Sequence, residues 1–149
     1  MKRKDCCWLL AVGCWLAMTS LMNGCGTTEI RPVDIFPEDN CAQCRMAVSD
    51  ERFASEIIDE QGEVMKFDDF GCLLRYRTKH ADLKIAAIFL KDFDTKNWTP
   101  YERASIVETN IETPMGSGKV AFADAEKAKS FQKQNPKIPS AGGVDKCCE

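Results

Sequence analysis

Val64-Met-Lys-Phe-Asp-Asp69 runs straight into Phe70-Gly-Cys-Leu-Leu-Arg75, and this junction sets the fold. Val64 to Phe67 reads as a short strand. Asp68 or Asp69 reads as the N-cap of a helix from Phe70 to about Lys79, because a short carboxylate accepts the free N–H groups of a first helical turn. Phe70, Leu73, Leu74 and the stem of Arg77 recur there at helical spacing. Upstream, Phe53 to Ile58 carries sheet-compatible bulk. Glu60-Gln-Gly-Glu63 makes the turn, with Gly62 free to take positive φ. Downstream, Ile85 to Leu90 is apolar enough for a central strand. The order is β-β-α-β.

A similar order follows. Ala104 to Thr109 reads as a strand, Asn110 to Gly118 as a long loop, and Lys119-Val-Ala-Phe-Ala-Asp124 as a returning strand with its cap. The helix then runs from Ala125 to about Gln134, with Ala125, Ala128 and Phe131 on its packed side, and Pro136 stops it. In both halves a Phe closes the strand, one residue is skipped and an Asp caps the helix. Internal duplication and ordinary strand-to-helix turn chemistry both account for this. The expected fold class is α+β: small antiparallel or mixed sheets with packed helices, in two ββα(β) units at 41–92 and 93–135.

The chain's 149 residues fit one compact domain or two very small ones. Lys and Arg total 20 against 23 acidic residues, a net charge of -3, so no basic excess points to nucleic acid. The single His argues against a histidine-rich metal site or a Ser-His-Asp triad. Nine cysteines are the unusual number.

Residues 1–24 read as an export signal. Lys2, Arg3 and Lys4 form the positive start, and Cys6 to Met22 is apolar but short for a membrane span. Leu21-Met-Asn-Gly-Cys25 reads as a bacterial lipobox, with cleavage before Cys25 and lipidation of its thiol. Acyl chains there would anchor firmly, at about 0.8 kcal/mol per buried methylene. The expected location is the cell envelope, facing the periplasm, with the outer membrane favoured over the inner. Cleavage leaves 17 basic and 22 acidic side chains, a net charge of -5. Residues 25–40 read as a lipidated tether, 41–135 as the folded domain and 136–149 as a flexible tail ending in Cys147-Cys148.

Cys41-Ala-Gln-Cys44-Arg-Met46 is the sharpest chemical feature. As a zinc half-site it needs two further ligands, and no second spaced pair sits inside the folded region. As a redox pair it should follow a strand and open a helix, yet it follows a proline-bearing tether. Met46 changes the chemistry. If residues 44–46 run extended, a thiolate and a thioether share one side. That soft pair suits copper(I), whereas zinc gains little from a thioether. Met115, in Thr113-Pro-Met-Gly-Ser-Gly118, is a candidate third ligand, because a large apolar side chain has no periodic reason to be there. The other reading of Met115 is a flexible side chain filling a gap in the core.

In order along the chain, four features resemble the NosL family, accessory lipoproteins of nitrous-oxide reductase. They are Cys25 in its lipobox, Asp39-Asn-Cys-Ala-Gln-Cys-Arg-Met46, Lys66-Phe-Asp-Asp69, and Thr113-Pro-Met-Gly-Ser-Gly118 followed by Val120-Ala-Phe. The resemblance implies a repeated β-β-α-β fold and a copper(I) chaperone rather than an enzyme. It implies copper ligands at Cys44, Met46 and Met115. The implied partners are the nitrous-oxide reductase apoprotein and other periplasmic copper carriers, with the membrane held through the lipid anchor.

Arg45 departs from the family pattern, which has Gly between the second Cys and the Met. Its charge is expected to favour a thiolate at Cys44, or to face a partner. Cys41 and His80 are auxiliary ligand candidates, although His80, just past the first helix, also reads as an ordinary surface residue. Cys72, beside Leu73, reads as core packing. One of Asp68 and Asp69 caps the helix, and the other orients a ligand or faces a partner. Cys147-Cys148 reads as accidental metal affinity in a tail. No nucleophile–His pair supports catalysis. The alternatives are an envelope thiol–disulfide redox protein using Cys41 and Cys44, and a structural envelope lipoprotein.

Overall fold

The computed structural model describes residues 29–137. The expected export segment, Cys25 and the Cys147-Cys148 tail lie outside the described residues.

The first strand, β1 (Ser55–Asp59), starts two residues later than expected, because Glu51–Phe53 forms a 3-10 turn capped by Asp50. Asp59 Oδ1 accepts the N–H groups of Gln61 and Glu63 at 2.9 and 2.8 Å, and Gly62 takes φ +84 between them. The chain returns as β2 (Val64–Phe67) and enters α1 (Phe70–Lys79). Then follow β3 (Ile85–Lys91) and a short strand that the sequence did not announce, β4 (Trp98–Pro100). The four strands form an antiparallel sheet in the order β2-β1-β3-β4, with Ile57 opposite both Met65 and Ile88. The second unit is a hairpin, β5 (Ser105–Glu108) and β6 (Lys119–Phe122), followed by α2 (Ala125–Gln134). This is the expected α+β class of ββα(β) units.

Two cores result. One joins the large sheet to α1 through Ile57, Phe67, Phe70, Leu73 and Leu90, with Cys41 and Cys72 among them. Each such large side chain contributes about 1.5–3 kcal/mol by leaving water. The other joins the hairpin to α2 through Val120, Phe122, Ala128 and Phe131. Strand β6 links them, because its two-residue period sends Ala121 to the first core and Val120 and Phe122 to the second. Tyr76, its ring tilted 60° against Phe67 with centroids 5.3 Å apart, replaces Arg77 on the packed side of α1, and Arg77 is exposed. Ala125 is also exposed, since it sits in the first turn before the helix meets the hairpin.

The sheet face opposite α1 is crossed by residues 33–39. Buried Glu56 accepts the Val33 N–H at 3.0 Å. Lys66 Nζ donates to the Asp34 carbonyl and to Asp39 Oδ2, both at 2.6 Å, and lies 5.3 Å from the centre of the Phe36 ring. This strap delivers the chain to the cysteine loop.

Candidate metal centre

The loop at 41–46 is closed at its neck. Val48 N–H donates to the Asp39 carbonyl at 2.9 Å, and Cys41 N–H donates to the Met46 carbonyl at 2.8 Å. Inside it, Arg45 N–H donates to the Cys41 carbonyl at 2.9 Å. Ala42 N–H donates to the Lys66 carbonyl at 2.8 Å, which stitches the loop to the edge strand β2. Arg45 takes φ +67, so residues 44–46 turn rather than run extended. The expected sharing of one side by positions i and i+2 therefore does not apply. A left-handed backbone costs a residue with a side chain about 1–2 kcal/mol. That is a physical reason for a glycine at this position in the family pattern.

Four side chains converge behind the loop. Cys41 and Cys44 come from the loop, Asp68 from the end of β2, and Cys72 from the first turn of α1; their donor atoms all lie within 4.8 Å of one another. Cys41 and Cys72 are fully buried and Asp68 is 1% exposed, while Cys44 is half-buried. Cys44 Sγ donates to the two Asp68 oxygens at 3.7 and 3.8 Å, and Arg75 Nη2 donates to Cys72 Sγ at 3.3 Å.

The protons are unevenly shared. The Cys72 thiol donates to Cys41 and brings it well below the usual thiol range against the opposing effect of burial, with help from the N–H groups of Cys44, Asp68 and Gln43. Cys72 is pushed up in turn, by that same hydrogen bond and by burial. Burial, together with Cys41 and Asp68, pushes Cys44 up. Burial and the Cys41 thiolate raise Asp68 to about 6. Arg45 is exposed, and the upward push on Cys44 comes from burial and from its neighbours Cys41 and Asp68. Metal entry must displace protons from Cys44 and Cys72. The Cys41 thiolate has no solvent exposure, which keeps a protein disulfide from reaching it.

Asp69, not Asp68, is the helix cap. Its Oδ1 accepts the Gly71 N–H at 2.5 Å, and its Oδ2 accepts the Thr113 hydroxyl at 2.6 Å and the Met115 N–H at 3.2 Å. Burial pushes this carboxyl up, but hydrogen bonds from Thr113, Ser117, Gly71 and Met115 outweigh it and hold it below the usual carboxylate range. The 113–118 loop sits so close to α1 that a Cβ on Gly71 would lie 2.7 Å from the Ser117 Cβ. Met115 is thereby packed, half-buried, against the same core as Cys44.

Of the ligand candidates read from the sequence, the fold gathers Cys44 with Cys41 and Asp68. It pins Met115 through the adjacent Asp69. Met46 stands on the loop, 50% exposed. His80 is the C-cap of α1, exposed and stacked on Tyr76 at 4.2 Å, about 12 Å along the helix from Cys72. Cys72 is the member that sequence reasoning passed over as core. Its signal was the spacing Asp69-x-x-Cys72, since a capped first turn holds its third residue close to the strand end.

Three sulfurs held about 2.3 Å from one ion in a plane stand about 4 Å apart, so the 4.8 Å cluster is near the size of such a site. The fold and this donor set define a small α+β domain with a thiol-rich, soft-metal centre, consistent with copper(I). The sequence pattern of the NosL family matches residues 32–136, and the chain belongs to that family. In fold it is similar to the copper chaperone NosL from Shewanella denitrificans, seen in a crystal structure. The TM-score is 0.59 at 17% identity, over 70% of this chain and 87% of that one. No curated protein matches it in sequence.

Proposed function

We propose that this chain is a copper(I) carrier of the bacterial cell envelope, anchored to the outer membrane through a lipidated Cys25. It supplies copper for the centres of nitrous-oxide reductase. The observation that carries the reading is the convergence of Cys41, Cys44, Asp68 and Cys72 within 4.8 Å in a member of the NosL family. The similar fold of a protein described as a copper chaperone supports it.

Copper(I) is the cargo, and Cys44 is its central donor. Met46 and Met115 complete the outer side, and Cys41 and Cys72 stand behind as further sulfur donors. Three thiols and a carboxylate alone would also suit zinc; the two thioethers turn the preference toward copper(I). Release proceeds by ligand exchange, in which an incoming donor joins before Met46 or Met115 leaves.

Anaerobic titration with copper(I), followed by X-ray absorption at the copper edge, tests the reading. One ion per chain with a sulfur-dominated first shell is expected. Cys44→Ala should lower the affinity more than about 100-fold, and Cys41→Ala should weaken it less. A shell of nitrogen and oxygen without sulfur, or tighter binding of zinc than copper(I), would refute it.

A further inference from the structure

The four large hydrophobic side chains most exposed among the described residues all lie between Ile30 and Met46. Ile30, Val33, Phe36 and Met46 are each at least 40% exposed. They stand on the strap and on the cysteine loop. Beside that loop is a hollow of about 360 Å³ between the loop, β2 and α1. Ala42, Val64, Met65 and Tyr76 line it together with the polar Asp39, Asn40, Arg45 and Lys66. At its rim Asp39 and Lys66 neutralise each other at 2.6 Å. Arg45 is exposed, and its guanidinium makes no hydrogen bond or ion pair within the described residues. Exposed apolar side chains on the segments that lead into this hollow mark a contact surface, and the unpaired cation lining it selects an acidic partner.

This inference rests on the carrier reading. Exchange of copper(I) requires the acceptor's donor atom to approach Cys44 or Met46 while they still hold the ion, so the acceptor must cover this face. We propose that the hollow between the Cys41–Met46 loop, β2 and α1 is the docking site for the copper-accepting protein. The acceptor sets an apolar side chain against Val64 and Met65 and a carboxylate against Arg45. The left-handed backbone at Arg45 then has a use: it carries a charged side chain out of a tight loop where glycine would carry none.

The test compares copper(I) transfer from the full chain to nitrous-oxide reductase apoprotein with transfer to a small sulfonated chelator, which needs no docking surface. Val64→Glu and Arg45→Glu should each lower the ratio of protein to chelator rates about tenfold at low salt, and Arg45→Lys should recover most of it. The Arg45→Glu deficit should shrink as salt is raised. An unchanged ratio in both glutamate variants, with normal wild-type transfer, overturns the docking site and leaves the carrier reading standing. Failure of the wild-type chain to bind copper(I) overturns the carrier reading itself, and the docking site with it. A dimer of the carrier alone, lost in Arg45→Glu, also overturns the proposal, because a second copy then fills the hollow.

Discussion

Replacing Asp69 by Asn changes one atom at the junction between the fold and the Met115 loop. Oδ1 can still accept the Gly71 N–H, so the helix cap survives. Oδ2, which accepts from Thr113 and Met115, becomes an NH2 group facing two donors. A hydrogen bond to a charged group contributes about 1.5–3 kcal/mol, and an unpaired buried N–H costs about 1–3 kcal/mol. The Thr113 hydroxyl can rotate to accept, whereas the Met115 N–H cannot, so a loss of about 3 kcal/mol is expected at pH 7. The pH dependence follows from the sign of the shift. A depressed carboxyl stabilises above its unfolded value of about 3.9, and that stability is lost as pH falls through the lowered folded value. The gap between wild type and variant should therefore close below about pH 4. Urea unfolding at pH 7 and pH 3 measures it, and the copper(I) off-rate to a chelator measures its consequence. With the loop released, the off-rate should rise about tenfold, equivalent to 1.4 kcal/mol. A cost under about 1 kcal/mol, or full destabilisation with an unchanged off-rate, would show that Asp69 does not clamp the site.

Glu56 acts in the opposite direction. Burial pushes it up to about 7, so the fold loses stability as pH rises from about 4.5 through 7, by at most about 3 kcal/mol. Glu56→Gln should flatten that limb in thermal melts between pH 5 and 8; parallel profiles would remove the effect. Arg45→Gly should raise the urea midpoint by the equivalent of about 1 kcal/mol, by relieving φ +67, yet slow delivery to a protein acceptor. Met115→Leu keeps the volume and should leave the circular dichroism intact while speeding copper release. An unchanged off-rate returns Met115 to a role in filling the core.

Both helix caps were legible because their chemistry is local. Asp69 reaches Gly71, and Asp124 reaches Glu126 and Lys127, within three residues of chain. The two hairpins were legible from turn residues and strand bulk. Strand β4 was not, because three residues ending in Pro100 show no alternation and pair only through Phe89, Leu90 and Lys91 of β3. Half of the four-residue cluster was legible as Cys41 and Cys44. Cys72 was hidden because the helical phase that buries Leu73 also explains a buried cysteine. The turn at Arg45 was hidden because arginine carries no signal for positive φ.

What the sequence could not reveal directly is how one strand serves the thiols and the methionine loop together. Residues leaving an extended strand turn alternately to opposite sides. Asp68 and Asp69 do so here: Asp68 enters the thiol cluster, and Asp69, with φ −151 and ψ 139, enters the Met115 loop. The same strand holds the cysteine loop through the Lys66 carbonyl and the strap through the Lys66 ammonium. The register of β2 against β1, with Lys66 opposite Glu56 and Phe67 opposite Ser55, therefore fixes the thiols, the carboxylate and the methionine loop at once. A slip of one residue would exchange the two aspartates and put Phe67 where Lys66 meets the strap. The geometry of the candidate metal centre is for this reason coupled to the core that locks the register, and Phe67, fully buried at the strand's end, helps to position the cluster without contributing a donor atom to it.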